Sequence, residues 1–323
     1  MRFYNQLQIV GIIIVIILYF ILPDTKEGFQ SLEQVPYQVL YPNLEEIQRV
    51  ITSKSYFKLF KDLDFKVRDC PPVISYCQKK YHYNVSPLTY KEQEKFDIFY
   101  KDIIEIIPKN QRKNLLRSQI KMAKTRNLEN KFPHTHQDMI FFDESYYKKL
   151  LSYEKGKLKE FDNEASTLIH EITHLKQRDT PQGYDSLYRQ WGFQPISYQY
   201  MVLNFPDHII RRIRLNPDEL PHYRFWVWKN KIIPLVLYES SRSYQISDVI
   251  YIGLKWDEKH DQVRAEYDPL DEFSDYEKYF GISNNHYHPL EIHAEYQSLL
   301  FLEILDNLKS ARSPGYLDYL KTL

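Results

Sequence analysis

The chain of 323 residues is short of glycine, with only 8, and no GxGxxG or GxxxxGK[ST] run occurs in it. A fold built on glycine-rich, phosphate-cradling loops is excluded. Cysteine is scarcer still. Cys70 and Cys77 cannot frame a disulfide scaffold or a four-cysteine zinc ribbon, although they are close enough to close one small loop. Net charge is absent as well, because 43 Lys and Arg balance 43 Asp and Glu. Without a basic stripe there is no electrostatic footprint for nucleic acid, and no such partner is expected. Internal repeats and low-complexity tracts are also missing. What remains is a globular composition, 43% hydrophobic and 27% charged, with 28 tyrosines. That length can bury the core of one large domain or two ordinary ones.

The first specific signal lies at the N-terminus. Residues 9–22 read IVGIIIVIILYFIL, without a charge. At 1.5 Å per residue, residues 3–22 would span roughly 30 Å, about one hydrocarbon core. A cleaved signal peptide is the rival, but the residues that follow offer no A-x-A-like site. The pattern predicts a transmembrane anchor over residues 1–24, a stalk over 25–42 and a domain over 43–323. Arg2 precedes the apolar run, whereas Asp24, Lys26, Glu27 and Glu33, acidic on balance, follow it. The positive-inside rule then predicts a single-pass membrane protein with its domain lumenal, extracellular or on a virion membrane. An Asn84-Val85-Ser86 sequon agrees with that side.

Beyond the stalk, Asn43 is suited to cap a helix over residues 44–60, with Leu44, Ile47, Val50 and Ile51 on one face. CPPVISYC reads as a proline-broken loop. Further helices are expected over residues 88–107 and 110–125. A strand is expected over 137–143, and another helix over 164–178. The middle of the chain turns β-like. YRFWVW and IIPLVLY flank Lys229-Asn230-Lys231 as a hairpin would, and residues 249–256 could add a strand. After Pro289 the pattern is helical again. The fold class expected is α+β, with a helical part over 43–130, a metal-site part over 131–323 and a β-hairpin insertion.

The chemistry centres on His170-Glu171-Ile172-Thr173-His174, an HExxH motif. On a helix, Ala165, Leu168, Ile169, Ile172 and Leu175 gather on one side. His170 and His174 lie on the other, about 40° apart. One face therefore packs on a core while the opposite face carries two imidazoles one turn apart, able to reach a single tetrahedral ion. Glu171 lies beside them, placed to hold a water rather than the metal.

TLIHEITHLKQR resembles the active-site helix of zincin metallopeptidases. The resemblance implies that His170 and His174 are Zn²⁺ ligands and Glu171 the general base. The metzincin branch requires HExxHxxGxxH, but Gln177 and Thr180 stand at the last two positions. An aspartate ligand, Asp179 or Asp185, remains open. Far downstream, His288-Pro289-Leu290-Glu291-Ile292-His293-Ala294-Glu295 puts two carboxylates one helical turn apart with a small residue between them. This segment resembles the glutamate helix of the gluzincins. It implies Glu291 as third ligand, with Glu295 accepting the free N–H of a ligand histidine. About 116 residues separate His174 from Glu291, so a long insertion must loop out.

The function implied is zinc-dependent hydrolysis of peptide bonds. A neutral donor would be needed for the tetrahedral oxyanion. Tyr287 and His288 are the nearest candidates, and His286, Tyr296, His134 and His136 are others. Strand 137–143 is a candidate edge for pairing with an extended peptide. The rival reading is a catalytically inactive zincin fold with a structural or binding role at a membrane; intact Glu171 speaks against it. Low glycine with abundant Ile, Lys, Asn and Tyr resembles proteins of AT-rich genomes. Together with the apolar N-terminus, it resembles zinc-protease-like membrane proteins of large DNA viruses.

Overall fold

Two five-stranded sheets organise the α+β fold in this computed structural model, which describes residues 37–219, 224–240, 242–281, 283–307 and 312–323. In the first, β1 (Gln38–Leu40) and β5 (Met139–Asp143) run parallel to a central β3 (Gln119–Thr125). The short β2 (Val85–Ser86) pairs antiparallel with the end of β3. β4 (His134–His136) pairs antiparallel with β5 and forms the edge. The second sheet is an antiparallel meander ordered β10-β9-β8-β7-β6. It comprises β6 (Phe193–Ile196), β7 (Phe225–Trp228), β8 (Ile232–Tyr238), β9 (Val249–Asp257) and β10 (Gln262–Pro269).

Several expectations need correction. The stretch 110–125 is not one helix. Lys109–Leu115 is helical, but β3 follows, with Ile120 and Met122 buried on one face, Ala123 and Thr125 buried on the other, and Lys121 and Lys124 only half-buried. The part over 43–130 is therefore not merely helical: it supplies β2 and β3 of the first sheet, and the expected stalk supplies β1. Tyr37–Leu323 is one compact unit. The expected insertion is larger than a hairpin. β7 and β8 do turn at Lys229 and Asn230, both at positive φ, but they form the middle of a five-stranded sheet.

The expected transmembrane helix and single-pass location are also corrected. Among the described residues no helix is long and apolar enough to cross a membrane. The apolar run at 9–22 lies outside the described residues.

Other readings hold. Asn43 Oδ1 accepts the Glu46 N–H at 2.9 Å and starts the helix Leu44–Ile51, which ends at Thr52 rather than running on. Thr89 and Glu92 form a capping box for Tyr90–Ile106. Cys70 and Cys77 are joined in a disulfide. CPPVISYC, expected as a loop, is one only as far as Val73; from Ile74 it belongs to the helix Ile74–Tyr83, which Asn84 closes, its Nδ2 donating to the Lys80 carbonyl.

Two long helices carry the site. The histidine helix, Asp162–Asp179, buries Ala165, Leu168, Ile169, Ile172 and Leu175 against the larger hydrophobic core. The glutamate helix, Pro289–Asp306, packs along it with Ile292 and Ala294 fully buried. Ser298 Oγ donates to the Ser166 carbonyl at 2.9 Å, a close approach that the small side chains allow.

Candidate metal centre

Apolar spacing forces the histidine helix to present His170 and Glu171 to a cleft of about 620 Å³ and keeps His174, one turn on, buried beside them. The glutamate helix begins at the same place. Pro289 occupies its first turn, and His288 caps it by accepting the Leu290 N–H at Nδ1. Glu291 thereby points its carboxylate at the two imidazoles. Its Oε2 lies 3.2 Å from His170 Nε2 and 3.6 Å from His174 Nε2. One ligand atom from each of the three residues falls within 4.8 Å of the others, so His170, His174 and Glu291 could hold a metal ion.

The surroundings fit a cation. His174 Nδ1 lies 2.9 Å from Gln177 Oε1, and a proton there leaves Nε2 with its lone pair toward Glu291. Gln177 is fixed in turn by donating to the Leu290 carbonyl at 2.9 Å. Buried His174 Nε2 and Glu171 Oε2 have no hydrogen-bond partner among the described residues. Leaving such atoms unpaired costs free energy, and a bound ion with its water would satisfy both. The local field agrees. Burial opposes a charge on His174, yet Glu291 and Asp218 outweigh it and push the imidazole up to about 10. Burial, Asp218 and Glu291 together hold the Glu171 carboxyl well above its usual range. Burial also works against ionised Glu291, but His174 and His170 bring it well below the usual range. A point in the protein that favours positive charge between two imidazoles and a carboxylate suits a divalent ion.

The open alternatives for the third ligand are engaged elsewhere. Asp179 makes a bidentate pair with Arg117 at 2.6 and 3.0 Å, and Asp185 faces Arg224 at 3.4 Å. Glu295 lines the cleft, but its carboxylate accepts from Asn285 Nδ2 at 2.8 Å and not from a ligand histidine. Gln177 takes that histidine-orienting position on His174.

The oxyanion candidates separate clearly. The Tyr287 hydroxyl oxygen, in the cleft wall, accepts from Asn216 Nδ2 at 2.9 Å and Arg214 Nη2 at 3.2 Å. Its own proton has no acceptor among the described residues. His288 spends both ring nitrogens, on the helix cap and on the Arg224 carbonyl. Tyr296 donates to the Phe280 carbonyl, and His286 Nδ1 meets the Gly281 carbonyl. His134 lines the cleft, with Nδ1 on the Phe132 carbonyl, whereas His136 is buried against Tyr56.

Strand β5, the expected peptide edge, is flanked on both sides, so β4 is the edge beside the site. Even there the backbone is covered. Asp218 Oδ1 accepts the Thr135 N–H at 2.6 Å, and Arg178 Nη2 donates to the Thr135 carbonyl at 3.0 Å.

Gln177, Asn216 and Asp218 were not legible as site residues. Gln177 stands three residues after His174, a spacing that puts both on one helix face and could have flagged it. Asn216, which donates to Glu291 Oε1 at 2.7 Å, and Asp218 sit in a non-periodic loop with no such signal. In comparisons with known proteins, no protein-family model, no curated protein and no solved structure matches this chain.

Proposed function

We propose that the chain is a zinc-dependent hydrolase of peptide bonds. The observation that carries this reading is the convergence of His170, His174 and Glu291 beside a buried Glu171, with His174 Nε2 and Glu171 Oε2 unpaired. Two imidazoles and one carboxylate are a donor set suited to catalytic zinc. Zinc bound there would supply Lewis-acid polarisation of a carbonyl and make water a better nucleophile near neutral pH.

The chain's own groups would do the rest. Glu171 takes a proton from the attacking water at its unpaired Oε2 and passes it to the departing amine nitrogen. Its raised affinity for a proton suits that shuttle. Tyr287 offers its hydroxyl proton to the developing oxyanion, held in place by Asn216 and Arg214. Asn216 also fixes the second oxygen of Glu291, so ligand and donor share one support.

The test is a peptidase assay of the zinc-loaded chain on a mixed peptide library, with products read by mass spectrometry. Wild type should cleave, and Glu171→Gln should keep the metal and lose turnover. Equal cleavage by Glu171→Gln would refute the proposal.

A further inference from the structure

The cleft contains two arginines in very different states. Arg68 is saturated: Nε and Nη2 engage Glu129, Nη1 engages Asp64 and the Tyr238 hydroxyl, and Nη2 also reaches the Leu215 carbonyl. Arg214 is not. Its guanidinium makes one hydrogen bond, from Nη2 to the Tyr287 hydroxyl at 3.2 Å. Among the described residues, no carboxylate lies within ion-pair distance of it. A guanidinium carries five N–H donors, and among the described residues Arg214 Nε and Nη1 are neither bonded nor buried, so they stand open to the cleft where an anionic ligand can take them. The side chain is nevertheless fixed in place. The Arg214 N–H is bonded to the Val236 carbonyl of β8 at 3.0 Å, and the guanidinium lies 5.8 Å from the centre of the Tyr287 ring.

The same cleft lacks a common way of holding a peptide. An extended substrate adding to a sheet edge needs free backbone groups on that edge. On β4 the Thr135 N–H is taken by Asp218, and its carbonyl by Arg178. The Gln137 carbonyl is also taken by Arg178, and Pro133 has no N–H to offer. Backbone pairing on β4 is therefore restricted, which leaves a larger share of the affinity to a side-chain anchor. Three successive hydrogen bonds, Arg214 to Tyr287, Asn216 to Tyr287 and Asn216 to Glu291, connect the guanidinium to the metal-ligand carboxylate. That path is within reach of about two to three extended residues at roughly 3.5 Å each.

We propose that Arg214 is the anion anchor of this cleft and that the substrate carries a carboxylate, at its C-terminus or on an acidic side chain, which pairs with the guanidinium. The proposal rests on the reading of His170, His174 and Glu291 as the reacting centre. A planar carboxylate matches the fork of unused donors, which a neutral amide cannot do.

The test uses binding, so that it does not depend on turnover. The probes are mercaptoacetyl-Leu-Ala as free acid, the same compound as C-terminal amide, and mercaptoacetyl-Leu-Asp as amide. The thiol addresses the metal, and the three compounds differ only in whether and where they carry a carboxylate. Calorimetry on the zinc-loaded full chain should show the acid, the aspartyl amide or both binding about tenfold or more tightly than the neutral amide. Which of the two does so identifies a C-terminal or a side-chain carboxylate. Arg214→Gln should bring all three probes to within about twofold, and Arg214→Lys should restore part of the preference as a point charge. Metal content and circular dichroism of each variant separate a lost anchor from a lost metal or a lost fold. Equal binding of the three probes to wild type, no binding of any, or a preference that survives Arg214→Gln would each overturn the proposal. Selective binding without any peptide cleavage would uphold the anchor and refute the peptidase reading, so the two failures are distinct.

Discussion

Gln177 Oε1 lies 2.9 Å from His174 Nδ1, one helical turn along the same buried face. Through that contact a residue that binds no metal sets which imidazole nitrogen is left to bind one. Gln177 is itself anchored across the helix interface, by its Nε2 on the Leu290 carbonyl at the start of the glutamate helix. The two ligand-bearing helices are thus coupled through the residue that orients a ligand.

Replacing Gln177 with Ala should weaken zinc binding by about 10- to 100-fold while leaving the three ligands in place. Competition with a chromophoric chelator measures this directly. Unchanged affinity would mean that packing alone orients His174.

Much of this geometry was legible in the sequence, and the reason is periodicity. The histidine helix announces itself because five apolar residues share one face, and the glutamate helix because Pro289, Glu291 and Ala294 keep helical spacing. β3 is hidden in the sequence because Leu115 and Leu116 continue a helical pattern into QIKMAKT, and only pairing with β1 and β5 makes those residues a strand. Asn216, Asp218 and Arg214 were illegible for a different reason. They lie in or beside a loop that carries no period, and they reach the cleft through tertiary contacts with β4, β8 and the glutamate helix. The expected Glu295 contact failed because Asn285, from the preceding loop, takes that carboxylate.

Tyr287→Phe removes the hydroxyl that Arg214 and Asn216 hold in the cleft wall. Zinc content should be unchanged, because Glu291 keeps its hydrogen bond from Asn216. Peptide turnover should fall by roughly 10²- to 10³-fold, as expected for one lost oxyanion donor. Wild-type turnover in this variant would remove Tyr287 from the mechanism.

A second buried network sets the response to acid. Glu129 accepts from Tyr56, Tyr81 and Arg68 inside the fold. Burial opposes its ionisation, but the charges of Arg68 and His134 and the hydrogen bonds from Arg68 and Tyr56 outweigh it and bring the carboxyl down from 4.5 to about 2. A depressed carboxyl contributes stability that is complete above its ordinary value and lost as pH falls through the folded one. Unfolding free energy should therefore fall between about pH 4.5 and 2. Glu129→Gln should flatten that part of the profile and cost about 3–5 kcal/mol at neutral pH, because Arg68 is left without its main counter-charge. Urea titrations across the pH range report both effects, and an unchanged acid slope would contradict the assignment.

The central claim is that His170, His174 and Glu291 form one metal site. Metal analysis of the purified full chain, carrying no added histidine tag, tests it most directly. Wild type should hold about one zinc per chain. Glu291→Ala and His170→Ala should each lose it, whereas Asp179→Ala and Asp185→Ala should keep it, since those carboxylates are paired with Arg117 and Arg224. Full zinc content in Glu291→Ala, or loss of zinc in Asp179→Ala or Asp185→Ala, would contradict the account.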